Sequence, residues 1–415
     1  MNRLKGFQKL TSTNEALDTW LNILKFQKFE EETISINEAL NRVASSDVLA
    51  QENLPRFNRS AVDGYALSFI DTIGASQYKP LILQITNSDQ LSSKQAIPIL
   101  TGNPIPNNAD TVVMIENTKK TTSGLEVYIQ LPKGGNVSKK GEDVKAGDVG
   151  IKSGTRLKPY HLALISALGC NSIKVYRKPK IGILATGNEL VTSKDSPVKG
   201  QIFESNRVLL SGLCEELGCE SMDLGIAKDD PKNILEKLRM GLKNCDAVIT
   251  TGGTSVGRLD FVPDVVNKIG TPGVIVQGMA LRPAMPTGLA VVERKPVLIL
   301  SGNPVAAIIG FEVFMRSIIF KMLGLNFESR PIIKGTLTRN TPTRLGRKTY
   351  LRVQVFQKND ENFVEPISAR GSGIISSMTK ANGFVIVPAN REGVRKGELV
   401  SVQLFGNVEK IEKDV

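Results

Sequence analysis

The sequence predicts a multidomain protein of α/β-plus-β class: a doubly wound α/β domain between a β-rich N-terminal lobe and a C-terminal β domain. Three observations carry this reading. The chain has 415 residues, more than one ordinary hydrophobic core accommodates. From Lys180 onward, short apolar runs alternate with amphipathic segments, the pattern of a parallel sheet with crossover helices. On either side, residues 50–150 and 328–415 consist of short alternating runs separated by turn residues, as in all-β units.

In the first lobe the clearest strands are Thr111 to Ile115 and Leu125 to Ile129. Ile181 to Ala185 then reads as a buried strand. Ser205 is placed to cap a helix whose Leu209, Leu210, Leu213 and Leu217 share one face before Gly218 stops it. A strand follows near Glu220 to Ile226. Asp230 at N-cap and Pro231 at N1 open the next helix, with Ile234, Leu235, Leu238 and Leu242 as its apolar stripe. Ala247 to Thr250 resumes the sheet, and a helix is expected near Asp260 to Ile269. Strands at Val274 to Val276, Leu289 to Val292 and Val297 to Leu300 lead into Asn303-Pro304 and a long apolar helix ending near Gly324. Tyr350 to Val355 and Phe384 to Val387 are the best strands of the last domain. Gly141-Glu142-Asp143-Val144 and Gly147-Asp148-Val149 look alike, but their spacing is too short for a stacked repeat, so both read as turns.

Composition narrows the function. Hydrophobic residues make up 41% and charged residues 23%, globular rather than disordered. The apolar stretch Val297 to Leu323 is broken by Ser301, Asn303, Pro304, Glu312, Arg316 and Lys321, which excludes a cheap membrane span. Met1 to Trp20 lacks the apolar core of a signal peptide, so a cytoplasmic protein without a membrane partner is expected. Cys170, Cys214, Cys219 and Cys245 contain no C-x-x-C pair, and His161 is the single histidine; a Cys/His zinc site and His-dependent nucleophilic catalysis are both disfavoured. The net charge of +12 suits nucleic acid, a membrane surface or a small anion. Without aromatic-basic interleaving, nucleic acid is not expected as a partner, and Lys174, Arg177, Lys178 and Lys180 read as a solvated face.

The chemistry-bearing motifs lie at turns. Thr251-Gly252-Gly253-Thr254-Ser255-Val256-Gly257 follows a predicted strand, and its glycines let backbone N–H groups converge on a phosphate; a plain Gly-rich turn is the alternative. Ser301-Gly302-Asn303-Pro304 repeats the arrangement after a later strand, where open α/β sheets bind ligands, with simple helix capping as its alternative. Asp63, Asp143, Glu189, Asp229 and Asp260 are acidic residues at turn or loop positions, hard oxygen donors suited to magnesium on a substrate phosphate. Singly, each also reads as a turn, cap or helix-start residue.

Ser60 to Ala66, Thr101-Gly102, Gly141 to Val144, Thr186 to Leu190, Glu204 to Arg207, Asp229-Asp230-Pro231, Gly252 to Gly257 with Asp260, and Gly302 to Val305 resemble, in order, the motifs of the molybdopterin molybdenumtransferase family, which includes the gephyrin E domain. The resemblance spans nearly the whole chain. It implies an N-terminal helix segment at 1–27 packing on the α/β domain and an elongated connecting domain at 28–48 and 145–176. A β-rich lobe at 49–144, a molybdopterin-binding α/β domain at 177–327 and a C-terminal β domain at 328–415 complete the organisation. It also implies a homodimer, adenylylated molybdopterin and molybdate or tungstate as substrates, magnesium as cofactor, and AMP as product.

Carried over by motif, the implied catalytic residues are Asp63, Asp143, Asp229 and Asp260, and the implied metal ligands are Glu189, Asp229 and Asp260. The implied substrate-binding residues are Thr101, Gly252, Gly253, Thr254, Ser255, Arg282, Ser301, Gly302, Asn303, Pro304 and Ser372. The chain departs from the family pattern in Arg282-Pro283-Ala284-Met285-Pro286, where arginine and methionine stand for two lysines. Asn188 replaces the aspartate before Glu189, and Asn58-Arg59 and Ser301 are further departures. The alternative function is a gephyrin-like scaffold or a molybdopterin-binding module without catalysis.

Overall fold

The computed structural model describes residues 10–24, 26, 30–253, 261–367 and 371–411. The chain forms two compact units, one of Glu31–Val175 and one of Met1–Glu30 with Tyr176–Val415.

Within Glu31–Val175, a six-stranded sheet runs in the order Thr111–Met114, Gly64–Leu67, Gln95–Ile99, Leu81–Ile85, Gly124–Val127 and Thr118–Thr121. Its alternating apolar residues bury one core of Leu67, Leu83, Val113, Leu125 and Val127. A separate core of Ala39, Ala44, Ile151, Leu157, Ile165 and Ile173 gathers around the helix Pro159–Ala167. The Gly141 and Gly147 segments are turns, with both glycines at positive φ. In the same unit His161 Nδ1 accepts from the Lys158 N–H at 3.0 Å, so the single imidazole caps a helix.

In the other unit, the α/β sheet runs Glu220–Ala227, Lys180–Thr186, Ala247–Thr251, Lys295–Leu300, Gly288–Val292 and Pro272–Gln277. The first four strands are parallel, and Gly288–Val292 is antiparallel to both its neighbours. The parallel strands with crossover helices expected from the sequence are present, and Gly288–Val292 makes the sheet mixed. The cause is local: only Glu293 and Arg294 separate two strands, both at positive φ (50° and 67°), a hairpin geometry with no room for a crossover helix.

Leu184, Val248, Val297 and Ile299 pack with Ile234, Leu238 and Leu242 of Pro231–Asn244 and with Val262 and Val266 of Phe261–Ile269. Alternation along the strands turns the equally buried Ile183, Ile249 and Leu298 the other way. Asp230 caps its helix through a 3.0 Å bond from the Asn233 N–H. Ser205 is the N-cap of Asn206–Glu216 but makes no side-chain cap bond; Glu204 instead accepts from the Arg207 N–H and guanidinium. That helix buries Leu210, Cys214 and Leu217, while Leu209 and Leu213 are half-buried. Arg177 is not part of a merely solvated face, because both its Nη atoms bind Asp246, at 3.0 and 2.9 Å.

The segment after Asn303 is helical from Pro304 to Met322, with Phe311–Met315 as a π-helical turn. The N-terminal helix Thr13–Leu24 lies against strand Gly288–Val292, where the buried Trp20 donates from Nε1 to the Ala290 carbonyl at 2.9 Å. Among the described residues no helix is long and apolar enough to cross a membrane. The last domain closes on itself: Lys348–Lys358, Glu361–Pro366, Ile332–Leu337, Leu399–Leu404 and Gly383–Val387 form a ring, the last strand pairing back to the first. Val353, Val355, Val364, Val385, Val400 and Val402 fill this barrel.

Candidate functional site

Four strands of the sheet end on the same side, and their loops enclose a cavity of about 850 Å³. Thr186 to Leu190 follows one strand, Asp229 another, Gly252-Gly253 a third and Ser301 to Pro304 a fourth. This is the carboxyl edge at which open α/β sheets bind ligands. Gly252, at φ 92°, lies so close to Thr186 that a Cβ would sit 2.2 Å from its carbonyl oxygen. Gly253, at φ 63°, would place one 2.8 Å from Thr186 Oγ1. Both glycines are therefore obligatory for this turn.

Asn206 holds the floor of the cavity together. Its Nδ2 donates to Thr251 Oγ1 and to the Gly302 carbonyl, both at 2.8 Å, and Thr251 Oγ1 donates to the Ser301 carbonyl at 3.1 Å. Asn206 Oδ1 and Thr186 Oγ1 are buried without a hydrogen-bond partner.

Glu189 and Asp229 line the same cavity. Asp229 and Asn188 clasp each other: the Asn188 N–H donates to Asp229 Oδ2 at 3.3 Å, and the Asp229 N–H donates to Asn188 Oδ1 at 3.1 Å. Asn188 thus performs the clasp without adding a charge beside Glu189. Among the described residues no three metal-ligating side chains cluster. Glu189 and Asp229, which share the cavity with the Gly252-Gly253 turn, nevertheless fit magnesium, which takes one or two protein carboxylates together with phosphate oxygens. Thr254, Ser255 and Asp260 lie outside the described residues.

A second cavity, of about 1260 Å³, shares Pro286, Ser301 and Asn303 with the first. It is lined by Arg282, Arg339, Arg344, Arg347 and Arg352, together with Ser372. Arg282 and Ser372 were legible from motifs. The other four arginines were not singled out, although their crowding between positions 339 and 352 was the available signal. Arg339 pairs with Glu365 at 3.2 Å. Arg352 donates to Ser377 Oγ at 2.6 Å and to the Gly371 carbonyl at 3.4 Å, and burial lowers its guanidinium pKa.

Asn303 does not use its side chain as a cap. The Ser372 carbonyl accepts from the Val305 N–H at 3.1 Å, so the segment bearing Ser372 is tied to the helix start that borders both cavities.

Asp63, Thr101 and Asp143 belong to the unit Glu31–Val175. Asp63 Oδ1 accepts from the backbone N–H and the hydroxyl of Thr101, both at 2.7 Å, and the backbone bond foremost holds its pKa below the ordinary carboxylate value. Asp143 is exposed and its N–H donates to the Leu54 carbonyl at 3.1 Å. Its neighbour Glu142, not selected from the sequence, accepts from the Lys139 N–H at 2.7 Å and from Ser138 Oγ. The Ser138 bond is the main cause of a lowered pKa there.

Comparison with known proteins follows the same architecture. Residues 11–169 match the "MoeA N-terminal region (domain I and II)", residues 182–321 the "Probable molybdopterin binding domain", and residues 334–405 the "MoeA C-terminal region (domain IV)". A Methanocaldococcus jannaschii protein named for molybdopterin biosynthesis is 37% identical over 98% of this chain and 100% of its own. The molybdopterin molybdenumtransferase of Bacillus subtilis is 33% identical, over 92% of each chain. A crystal structure of the molybdopterin biosynthesis MoeA protein from Pyrococcus horikoshii superposes with a TM-score of 0.80 at 30% identity, covering 96% of this chain and 100% of that one.

Proposed function

The chain belongs to the molybdopterin molybdenumtransferase (MoeA) family of molybdenum cofactor biosynthesis, and from that premise we propose that it joins molybdate or tungstate to adenylylated molybdopterin with release of AMP. The observation that carries this reading is the pair of adjoining cavities, one bordered by the Gly252-Gly253 turn with Glu189 and Asp229 and the other lined by five arginines. A nucleotide-bearing pterin and a tetrahedral oxyanion are two anions that must meet, and Pro286, Ser301 and Asn303 border both spaces.

In this reading Gly252, Gly253, Ser301, Gly302, Asn303 and Pro304 bind the phosphate-bearing substrate, together with Thr101, Thr254 and Ser255. Arg282 and Ser372 receive the oxyanion. Arg282 presents a planar fork that can donate two parallel hydrogen bonds to a tetrahedral anion. Asp63, Asp143, Asp229 and Asp260 are the catalytic carboxylates. Glu189, Asp229 and Asp260 would hold magnesium, which neutralises phosphate charge when bound. The protein's own contribution is electrostatic: fixed arginines and backbone N–H groups stabilise charge that develops as the phosphoanhydride is cleaved and AMP leaves. No covalent nucleophile is needed, and His161 is occupied as a helix cap.

The working form is a cytoplasmic homodimer. The direct test is AMP release from adenylylated molybdopterin when molybdate is added to the protein with magnesium. Absence of AMP under those conditions overturns the assignment.

A further inference from the structure

Apart from these two cavities, a third, of about 400 Å³, is walled by the N-terminal helix, the second half of the Pro304–Met322 helix and the barrel. Its size falls within the range of small-molecule sites. Among the described residues its one acidic side chain, Glu312, is already bound fork-to-fork by Arg330, at 2.9 and 2.5 Å. The wall also carries Arg316, Lys321 and Lys348, so the cavity is net cationic.

Two of these cations are poorly satisfied. Arg316 Nε is buried with no hydrogen-bond partner, and its Nη2 makes only a long 3.4 Å bond to the Glu328 carbonyl. Burial lowers the Arg316 pKa even though the carboxylates of Glu312, Glu216 and Glu328 act on it in the opposite sense. Lys348 Nζ reaches one neutral acceptor, Asn14 Oδ1, at 3.3 Å, and burial lowers its pKa too. A buried donor without an acceptor is costly, and an anion supplies both the acceptor that Arg316 Nε lacks and a charged partner for Lys348, whose Nζ has a neutral one.

The remaining wall is partly apolar, with Leu17, Leu21, Val313 and Leu325 beside the rings of Phe320, Phe327, Tyr350 and Phe384. Phe320 lies under the Arg316 guanidinium, 5.1 Å from ring centre to Cζ, and Phe384 meets Tyr350 edge-on at 5.8 Å. Burial pushes the Tyr350 hydroxyl up to about 12, so at neutral pH it is an uncharged donor.

We propose that this cavity binds a small organic anion, its carboxylate or phosphate head held by Arg316 and Lys348 and its aromatic body packed against the exposed ring of Phe327. The site is separate from the proposed transferase chemistry and does not depend on it.

Isothermal titration of the full chain with phenyl phosphate, benzoate and uncharged benzyl alcohol tests this. At least one anion should bind saturably, at least about tenfold more tightly than benzyl alcohol, and more weakly as salt rises. The tighter of the two anions identifies the head group. Arg316→Gln and Lys348→Gln should each weaken binding about tenfold or more, from the loss of one charged hydrogen bond, while Arg282→Ala, in the other cavity, should leave it unchanged. Circular dichroism establishes that each variant is folded, and if Arg316→Gln is not, Lys348→Gln decides. The proposal is overturned if neither anion binds at millimolar concentration, if benzyl alcohol binds equally well, or if binding disappears with Arg282→Ala and survives the other two changes.

Discussion

Arg282 stands opposite Thr349 in a two-residue parallel pairing in which Leu281 faces Lys348. A loop of the α/β domain thereby joins a barrel strand, the same strand that carries Arg352 into the arginine-lined cavity. Backbone pairing, rather than side-chain flexibility, fixes where the Arg282 fork begins.

Arg282→Ala should raise the molybdate concentration needed for AMP release, at a cost of about 1.5–3 kcal/mol for a lost charged hydrogen bond. Arg282→Lys should recover part of this, since charge returns without the fork. A change in thermal stability with an unaltered molybdate dependence would remove Arg282 from the oxyanion site and leave that pocket to Ser372 and its neighbours.

Arg352→Ala should lower both turnover and stability. One guanidinium nitrogen, Nη1, reaches both Ser377 Oγ and the Gly371 carbonyl, so its removal takes the anchor from the Ser372 segment. Steady-state kinetics should show a fall in kcat as well as a rise in KM for molybdate, and unchanged kinetics would refute the anchoring role.

Gly252→Ala should destabilise the protein by about 1–3 kcal/mol from backbone strain at positive φ, with a further cost because its Cβ meets the Thr186 carbonyl at 2.2 Å. Urea unfolding and pterin binding report the two consequences separately. A fully stable variant with intact binding would show that the cradle relaxes freely.

Trp20→Ala should cost about 3–5 kcal/mol, the range for deleting a large buried ring, because Trp20 is fully buried and bonded to Ala290. Since the chain contains one tryptophan, fluorescence of the parent protein follows release of the N-terminal helix from the sheet. A loss below about 1 kcal/mol would mean that this helix contributes little to the fold.

The pH dependence of Asp63 has a definite sign. Its pKa is lowered by the Thr101 bonds, so its contribution is fully present above the unfolded carboxylate value and is lost as pH falls through the lower folded value. Thr101→Ala keeps the backbone donor and removes the hydroxyl, so the Asp63 pKa should rise only part of the way toward normal. Carboxyl NMR titration measures this, and an unshifted titration would show that the hydroxyl bond is absent in solution.

The order of elements from Lys180 to Met322 was legible because each strand and helix buries its own face: the Ile234, Leu238 and Leu242 stripe, the Asp230-Pro231 start and the apolar run at Ala247 are local statements. The glycine cradle was legible for the same reason, since Gly252 answers a backbone requirement at its own position. The reversal at Gly288–Val292 is local as well, since only two residues separate it from Lys295–Leu300. One outcome needed the tertiary structure. The cationic cavity depended on a closed barrel meeting a two-residue strand. Arg282 and Arg352 are 70 positions apart in sequence, and hydrophobic periodicity carries no information about which distant strands hydrogen-bond. The arginines could be counted from the sequence, but their convergence was decided by backbone pairing at long range.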